Sequence, residues 1–209
     1  MPSTEAETPS DHTRGRELAH VLAKAWFTPM LIGLPFAGAS RPRINADVVR
    51  WAQATGRPGT SLRALLARYP EFRTLYCYRL RRGGSAAAVI GKIATVLYPG
   101  ERTLHLACGD IGGGLFIQHG FATVVAARKV GENCWINQQV TIGFDRPGAR
   151  PTLGDNVSVH AGAKVLGDIT LGDGARIGAN AVVLADVPPG HTAVGVPARM
   201  LPPKPQRPQ

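Results

Sequence analysis

Residues 153–187 read LGDNVSVHAGAKVLGDITLGDGARIGANAVVLADV, and within them Leu153, Val159, Val165, Leu171, Ile177 and Val183 recur at an unbroken spacing of six. Four residues after each comes a second apolar residue: Val157, Ala163, Ile169, Ala175, Ala181 and Val187. A helix repeats every 3.6 residues and an extended strand every 2, so neither produces this beat. A chain that turns a corner every six residues does. Three such faces close one triangular coil, each aliphatic residue stacks on its counterpart a coil away, and the corners take residues that tolerate positive φ. Gly154-Asp155-Asn156, Gly172-Asp173-Gly174 and Gly178-Ala179-Asn180 are such corners. The pattern names a hexapeptide-repeat β-helix.

The beat continues upstream at Val130, Ile136 and Ile142, with Cys134 and Val140 at the fourth following position, and again at Ile111 and Ile117. These eleven anchors predict a prism of about three to four coils. Eleven residues separate Ile142 from Leu153, so Phe144–Pro151 (FDRPGARP) must leave the coil as a loop, and such excursions from a rigid scaffold often carry function.

The first half is patterned differently. Val48, Val49, Trp51 and Ala52 precede a break at Gly56–Gly59, Leu62, Leu65 and Leu66 follow, and Pro70 opens PEFRTLYCYRL with Phe72, Leu75, Tyr76 and Leu80 at helical spacing. A last apolar helix is expected from Ser85 to Tyr98, ending at Pro99-Gly100. The expected organisation is α+β: a disordered tail over 1–16, a helical region over 17–103, the β-helix over 104–201 and a Pro-rich tail over 202–209. The Ala25–Ala39 stretch (AWFTPMLIGLPFAGA) is apolar but falls short of the roughly twenty residues that span a bilayer, and Pro29 and Pro35 interrupt it. It reads as a buried or membrane-surface segment.

The 209 residues, 44% of them hydrophobic and 18% charged, suffice for a core of ordinary size and exclude intrinsic disorder. Gly 25 and Pro 17 argue against long uninterrupted helices. The net charge of +10 lies mostly in residues 1–103, where 15 basic and 7 acidic residues leave +8. It favours anionic partners such as a phosphate-bearing cofactor. The ten arginines between Arg41 and Arg82 sit singly among apolar residues, as on solvated faces of amphipathic helices, and no nucleic-acid partner is expected. Cys77, Cys108 and Cys134 form no C-x-x-C pair, so buried thiols in a reducing cytoplasm are expected, with neither a disulfide framework nor a cysteine metal site.

Beyond the periodicity, IGGGLFIQHGFATVV, NQQVTIG, HAGAKVLGDITLGDGARIGANAVVLADVPPG and the closing AVGVPARM resemble the hexapeptide-repeat acyltransferases, and among them the serine O-acetyltransferases. The resemblance covers about residues 104–201. It implies a left-handed parallel β-helix, assembly as a homotrimer or a dimer of trimers, and acetyl-CoA lying in clefts between prisms, with no metal. The family's catalytic histidine maps onto His119, and a neutral imidazole suits removal of a hydroxyl proton at pH 7. Gly143 and Ala161 match positions that meet the pantetheine arm, Gly178 and Ala179 lie in the next coils, and Arg199 is placed to meet CoA phosphate.

The acceptor side departs from the family. Gln118 stands where the serine enzymes have an aspartate that helps hold the amino acid, Leu104 stands at the offset of the aspartate that orients the histidine, and Arg150 replaces a loop histidine. The resemblance therefore makes Gln118, Arg150 and Asp110 the acceptor-side candidates and leaves a backbone carbonyl, His105 or Asp110 to orient His119. His160 takes the place of a family glycine at an exposed corner. The acceptor is a hydroxyl of serine, a sugar or another small molecule; a non-catalytic scaffold with membrane-surface contact is the competing class. The zinc-dependent carbonic anhydrases that share the β-helix need an H-x4-H pair, which the six histidines do not form.

Overall fold

A computed structural model describes residues 21–203. The tail expected over 1–16 lies outside the described residues, as does the tail over 202–209 apart from Pro202 and Pro203. Two 3-10 segments, Thr28–Phe36 and Gly38–Ser40, lead into four α-helices: α1 (Arg41–Ala54), α2 (Leu62–Arg68), α3 (Pro70–Arg81) and α4 (Ser85–Leu97). Pro70 occupies the first turn of α3, where its missing N–H costs no hydrogen bond, and the Ser61 side chain caps α2 by accepting from the Ala64 amide. Tyr98, expected inside the last helix, instead caps it.

Fifteen short strands follow, beginning with β1 (Leu104–Leu106), β2 (Asp110–Ile111), β3 (Phe116–Gln118) and β4 (Thr123–Val125). The next four are β5 (Lys129–Val130), β6 (Trp135–Asn137), β7 (Thr141–Gly143) and β8 (Thr152–Leu153). Then come β9 (Ser158–Val159), β10 (Lys164–Leu166), β11 (Thr170–Leu171), β12 (Arg176–Ile177), β13 (Val182–Val183), β14 (Thr192–Val194) and β15 (Arg199–Leu201). Every third strand pairs in parallel, giving three faces in the orders β1-β4-β7-β10-β13, β2-β5-β8-β11 and β3-β6-β9-β12-β14, with β15 added antiparallel to β14. The chain is a left-handed β-helix of about five coils.

All eleven anchors read from the six-residue beat are at most 1% exposed, and they stack as the beat requires. Ile111, Val130, Leu153 and Leu171 align on one face, and Ile117, Ile136, Val159 and Ile177 on the next. Each such residue contributes about 1.5–3 kcal/mol by leaving water. The coil count exceeds the expected three to four because one anchor, Val125, follows Ile117 by eight residues and so falls off the beat, while Val187 and Ala193 carry the last coil past Val183. Two columns of corners take positive φ: Gly114, Asn133, Asn156, Gly174 and Gly190 before the third face, and Ala122, Gln139, Gly162 and Asn180 between the third face and the first, with His119 left-handed as well in the longest of these corners.

The helices sit on the first coil and share one continuous core with the prism. Trp51 of α1 packs edge-on to Phe116 of β3 at 4.9 Å and donates through Nε1 to the Leu115 carbonyl at 2.9 Å. Beside it, Asp47 and Arg79, each 1% exposed, pair at 2.8 Å. Asp47 also accepts from the Gly114 and Leu115 amides, and Arg79 donates to the Ile111 and Gly112 carbonyls. Arg73 and Arg82 likewise donate to backbone carbonyls. Solvated helix faces therefore do not account for every arginine: these three meet carbonyls or a carboxylate that need donors. The apolar 25–39 stretch runs against α4, burying Met30 and Gly33 while leaving Ile32 and Phe36 exposed beside Val89, Ile93, Val96 and Leu97. No single helix among the described residues is long and apolar enough to cross a membrane.

Candidate active site

His119 follows β3 at the corner where the third face gives way to the first. The left-handed corner position ahead of the first face is held by Ala122 in this coil and by Gln139, Gly162 and Asn180 in the next ones; His119, aligned with Gln138, adds a second left-handed residue to the same corner, with φ 54°. For a residue with a Cβ that conformation costs about 1–2 kcal/mol, and such outliers cluster where function requires them. Eight residues instead of six separate the anchors here, so the corner is wide and the imidazole is exposed.

It stands at the mouth of a recess of about 390 Å³ between the helices and the prism. Phe116, Ile117 and Gln118 of β3 form one wall; Trp51, Ala54 and Thr55 at the end of α1 and Tyr69 and Glu71 at the start of α3 form the other. The Gln118 amide oxygen accepts from Asn137 Nδ2 on β6 at 3.3 Å, which fixes the rotamer of Gln118 beside the imidazole. Farther along this face Trp135 Nε1, Asn137 Oδ1 and Gln138 Oε1 are buried without a partner among the described residues. Buried polar atoms are normally satisfied, so these three stand out along this face.

The expected site residues fall into two columns. Gln118, His119, Ala161, Gly178 and Ala179 follow one edge of the prism, since strands of the third and first faces flank each of them. Gly143 ends β7 on the edge between the first and second faces, and Arg150 lies in the 144–151 loop on that second edge, over the Phe144 ring and donating to the Ala107 carbonyl at 3.3 Å. Asp110, on the second face, is ion-paired to Arg43 at 2.8 Å and does not line the recess. His105 lines a different cleft, with Arg81 and Arg102. Of the three candidates for orienting His119, neither side chain, His105 nor Asp110, lines its recess, and the backbone carbonyl is left.

On the coenzyme side, a methyl at Gly143 would meet only ordinary contacts, so packing does not demand glycine there. Gly178 differs: a Cβ would lie 2.9 Å from Val194 Cγ1, which the next coil forbids. Arg199 is exposed on β15, in the last coil. His160 faces Trp135, with ring centroids 6.5 Å apart. Cys134 is buried, and burial pushes its thiol up to about 12, so it carries no thiolate at neutral pH. No group of three His, Cys, Asp or Glu side chains among the described residues could hold a metal ion.

Known proteins place the chain in a family. Residues 150–185 match the family model described as bacterial transferase hexapeptide (six repeats). A serine acetyltransferase of Helicobacter pylori is 40% identical over 152 residues, which is 66% of this chain and 84% of that protein. The chain belongs to the serine acetyltransferase family. A second family member, from Synechococcus elongatus, is 39% identical over 148 residues, 64% of this chain but only 57% of its own length. Among solved structures, a serine acetyltransferase in complex with CoA superposes with a TM-score of 0.57 at 28% identity, covering 88% of this chain and 83% of that one.

Within this family the motifs around His119 and along the later coils were readable from sequence. Trp51, Thr55, Tyr69 and Glu71 were not, because they come from helices with no six-residue beat. Asn137 carried a signal, since it opens the NQQVTIG stretch.

Proposed function

We propose that the protein is an acetyl-CoA-dependent O-acetyltransferase of the serine acetyltransferase type. The observation that carries this reading is the left-handed His119 corner, which sets an exposed imidazole at the mouth of a small recess and at the head of a column of small corner residues. As the acceptor hydroxyl attacks the thioester carbonyl, His119 takes its proton; as the C–S bond breaks, His119 returns that proton to the departing thiolate. No acyl-enzyme is needed, and the buried Cys134 is not a nucleophile.

Acetyl-CoA as the donor is supported by the CoA complex of the solved relative and by the room beside Gly143. L-serine as acceptor is supported by the relatives' activity, and a sugar or other hydroxyl by the departures at Gln118 and Arg150. The active species is a homotrimer or a dimer of trimers. Its support is the split of the site: Arg150 and Gly143 lie on a different edge of the prism from His119, so only a neighbouring chain can bring the two edges together.

The test is thiol release from acetyl-CoA with L-serine, homoserine and sugar acceptors. His119→Ala is expected to lower turnover by about 10²- to 10⁴-fold with CoA binding intact, and His160→Ala to cost much less. Near-normal turnover of His119→Ala would overturn the assignment.

A further inference from the structure

We propose that Glu71 determines acceptor choice by holding an ammonium group on the molecule whose hydroxyl meets His119. The inference rests on the reading of this recess as the acceptor site. Glu71 is the only carboxylate lining it, and no lysine or arginine lines it at all. Its stem lies against the His119 corner: a Cβ on Gly120 would be 3.1 Å from Glu71 Cγ and 3.2 Å from Leu104 Cδ2.

Among the described residues the Glu71 carboxylate has no ion pair within 4 Å. The neighbouring Arg73 feels the Glu71 charge but makes no ion pair with it, its guanidinium donating instead to the Leu66 carbonyl at 2.8 Å and the Pro99 carbonyl at 3.1 Å. His119, too, stands more than ion-pair distance from it, so a gap separates the imidazole from the carboxylate. The aromatic rings of Trp51, Tyr69 and Phe116 wall the recess. One uncommitted carboxylate among aromatic faces suits a compact cation, through charge and ring quadrupole alike, and disfavours a phosphate. Gln118 is uncharged, so the counter-charge that the family places next to its histidine comes here from α3 instead. The recess takes an amino alcohol, its hydroxyl toward His119 and its ammonium toward Glu71. A carboxylate on that acceptor finds no cation in the recess and depends on one from another edge.

The experiment uses the full chain, acetyl-CoA and two probes of equal size and configuration, L-serine and L-glycerate, which carries a hydroxyl in place of the ammonium. Glu71→Gln is expected to raise KM for L-serine by about 10- to 100-fold, as loss of a charged hydrogen bond does. Its kcat should stay within about threefold, and Glu71→Asp should recover part of the loss. Discrimination between L-serine and L-glycerate should collapse in Glu71→Gln. Unchanged KM and discrimination would overturn the proposal. So would a kcat loss shared by both probes with a displaced pH profile, which would make Glu71 a partner of the imidazole. Calorimetric titration of the CoA-bound protein with each probe reads the same preference without turnover. Absence of acetyl transfer then counts against the reaction alone, whereas wild-type protein binding both probes equally overturns the cation site.

Discussion

Replacing Asp47 by asparagine tests what fastens the helices to the prism. In the wild type, Asp47 Oδ1 accepts from Gly114 N at 2.8 Å, Leu115 N at 3.1 Å and Arg79 Nη2 at 3.1 Å, while Oδ2 accepts from Arg79 Nε at 2.8 Å. Burial pushes the carboxyl up from its ordinary value, and Arg79 and the two amides pull it back. Asparagine keeps an Oδ1 for the amides but sets an NH₂ donor against Arg79 N–H and leaves a buried guanidinium uncompensated. Removing one partner of a buried pair costs about 3–5 kcal/mol, a large part of the roughly 5–15 kcal/mol that domains possess. With a urea slope of about 2–3 kcal/mol per molar, the midpoint should fall by about 1–2 M at fixed protein concentration. Asp47→Leu combined with Arg79→Met should lie nearer the wild type than either single change, because no buried charge is then stranded. A midpoint within about 0.3 M of wild type for Asp47→Asn would refute the claim that this pair holds the junction.

Two further outcomes follow from the prism itself. Burial lifts the thiols of Cys77 and Cys108 and carries that of Cys134 to about 12, so a disulfide reagent at pH 8 should titrate no thiol in the folded protein and three after denaturation. Since the folded Cys134 thiol holds its proton to a higher pH than the unfolded one, whose ordinary value is 9.0, its contribution to stability is complete below pH 9 and lost as pH rises toward 12. Alkaline unfolding that is unchanged in Cys134→Ala would contradict this. On the coenzyme edge, Ala161→Trp should raise KM for acetyl-CoA at least tenfold with assembly intact by light scattering; an unchanged constant would move the coenzyme elsewhere.

The prism was legible because its physics is one-dimensional. Each anchor meets only its counterpart one coil away, eighteen residues distant when the beat is regular, so periodicity in the chain is periodicity in space. It failed where the corner lengthened. The extra residues between Ile117 and Val125 hid an anchor and a coil, and the same extra length exposes His119. The helical half had no such rule. Asp47 read as one of two acids among ten arginines, and nothing at helical spacing reveals that it pairs with Arg79 thirty-two residues on, since that contact is set by how α1 and α3 cross over β2 and β3.

The site was half legible for a related reason. Corner residues on one edge announce themselves through the repeat, and the family motifs add the histidine. The helix-side wall of the recess is built from helix ends, where Thr55 and Glu71 look like ordinary cap and first-turn residues. A carboxylate brought in by another element is therefore invisible along the chain. Along the chain Gln118 shows only a neutral amide, whereas in space a carboxylate, Glu71 of α3, lines the same recess. A ligand's charge responds to the local field, which groups on different elements can supply. The ammonium-binding test on Glu71 is thus also a test of whether the departures at Gln118 and Leu104 changed the acceptor or only moved the residue that reads it.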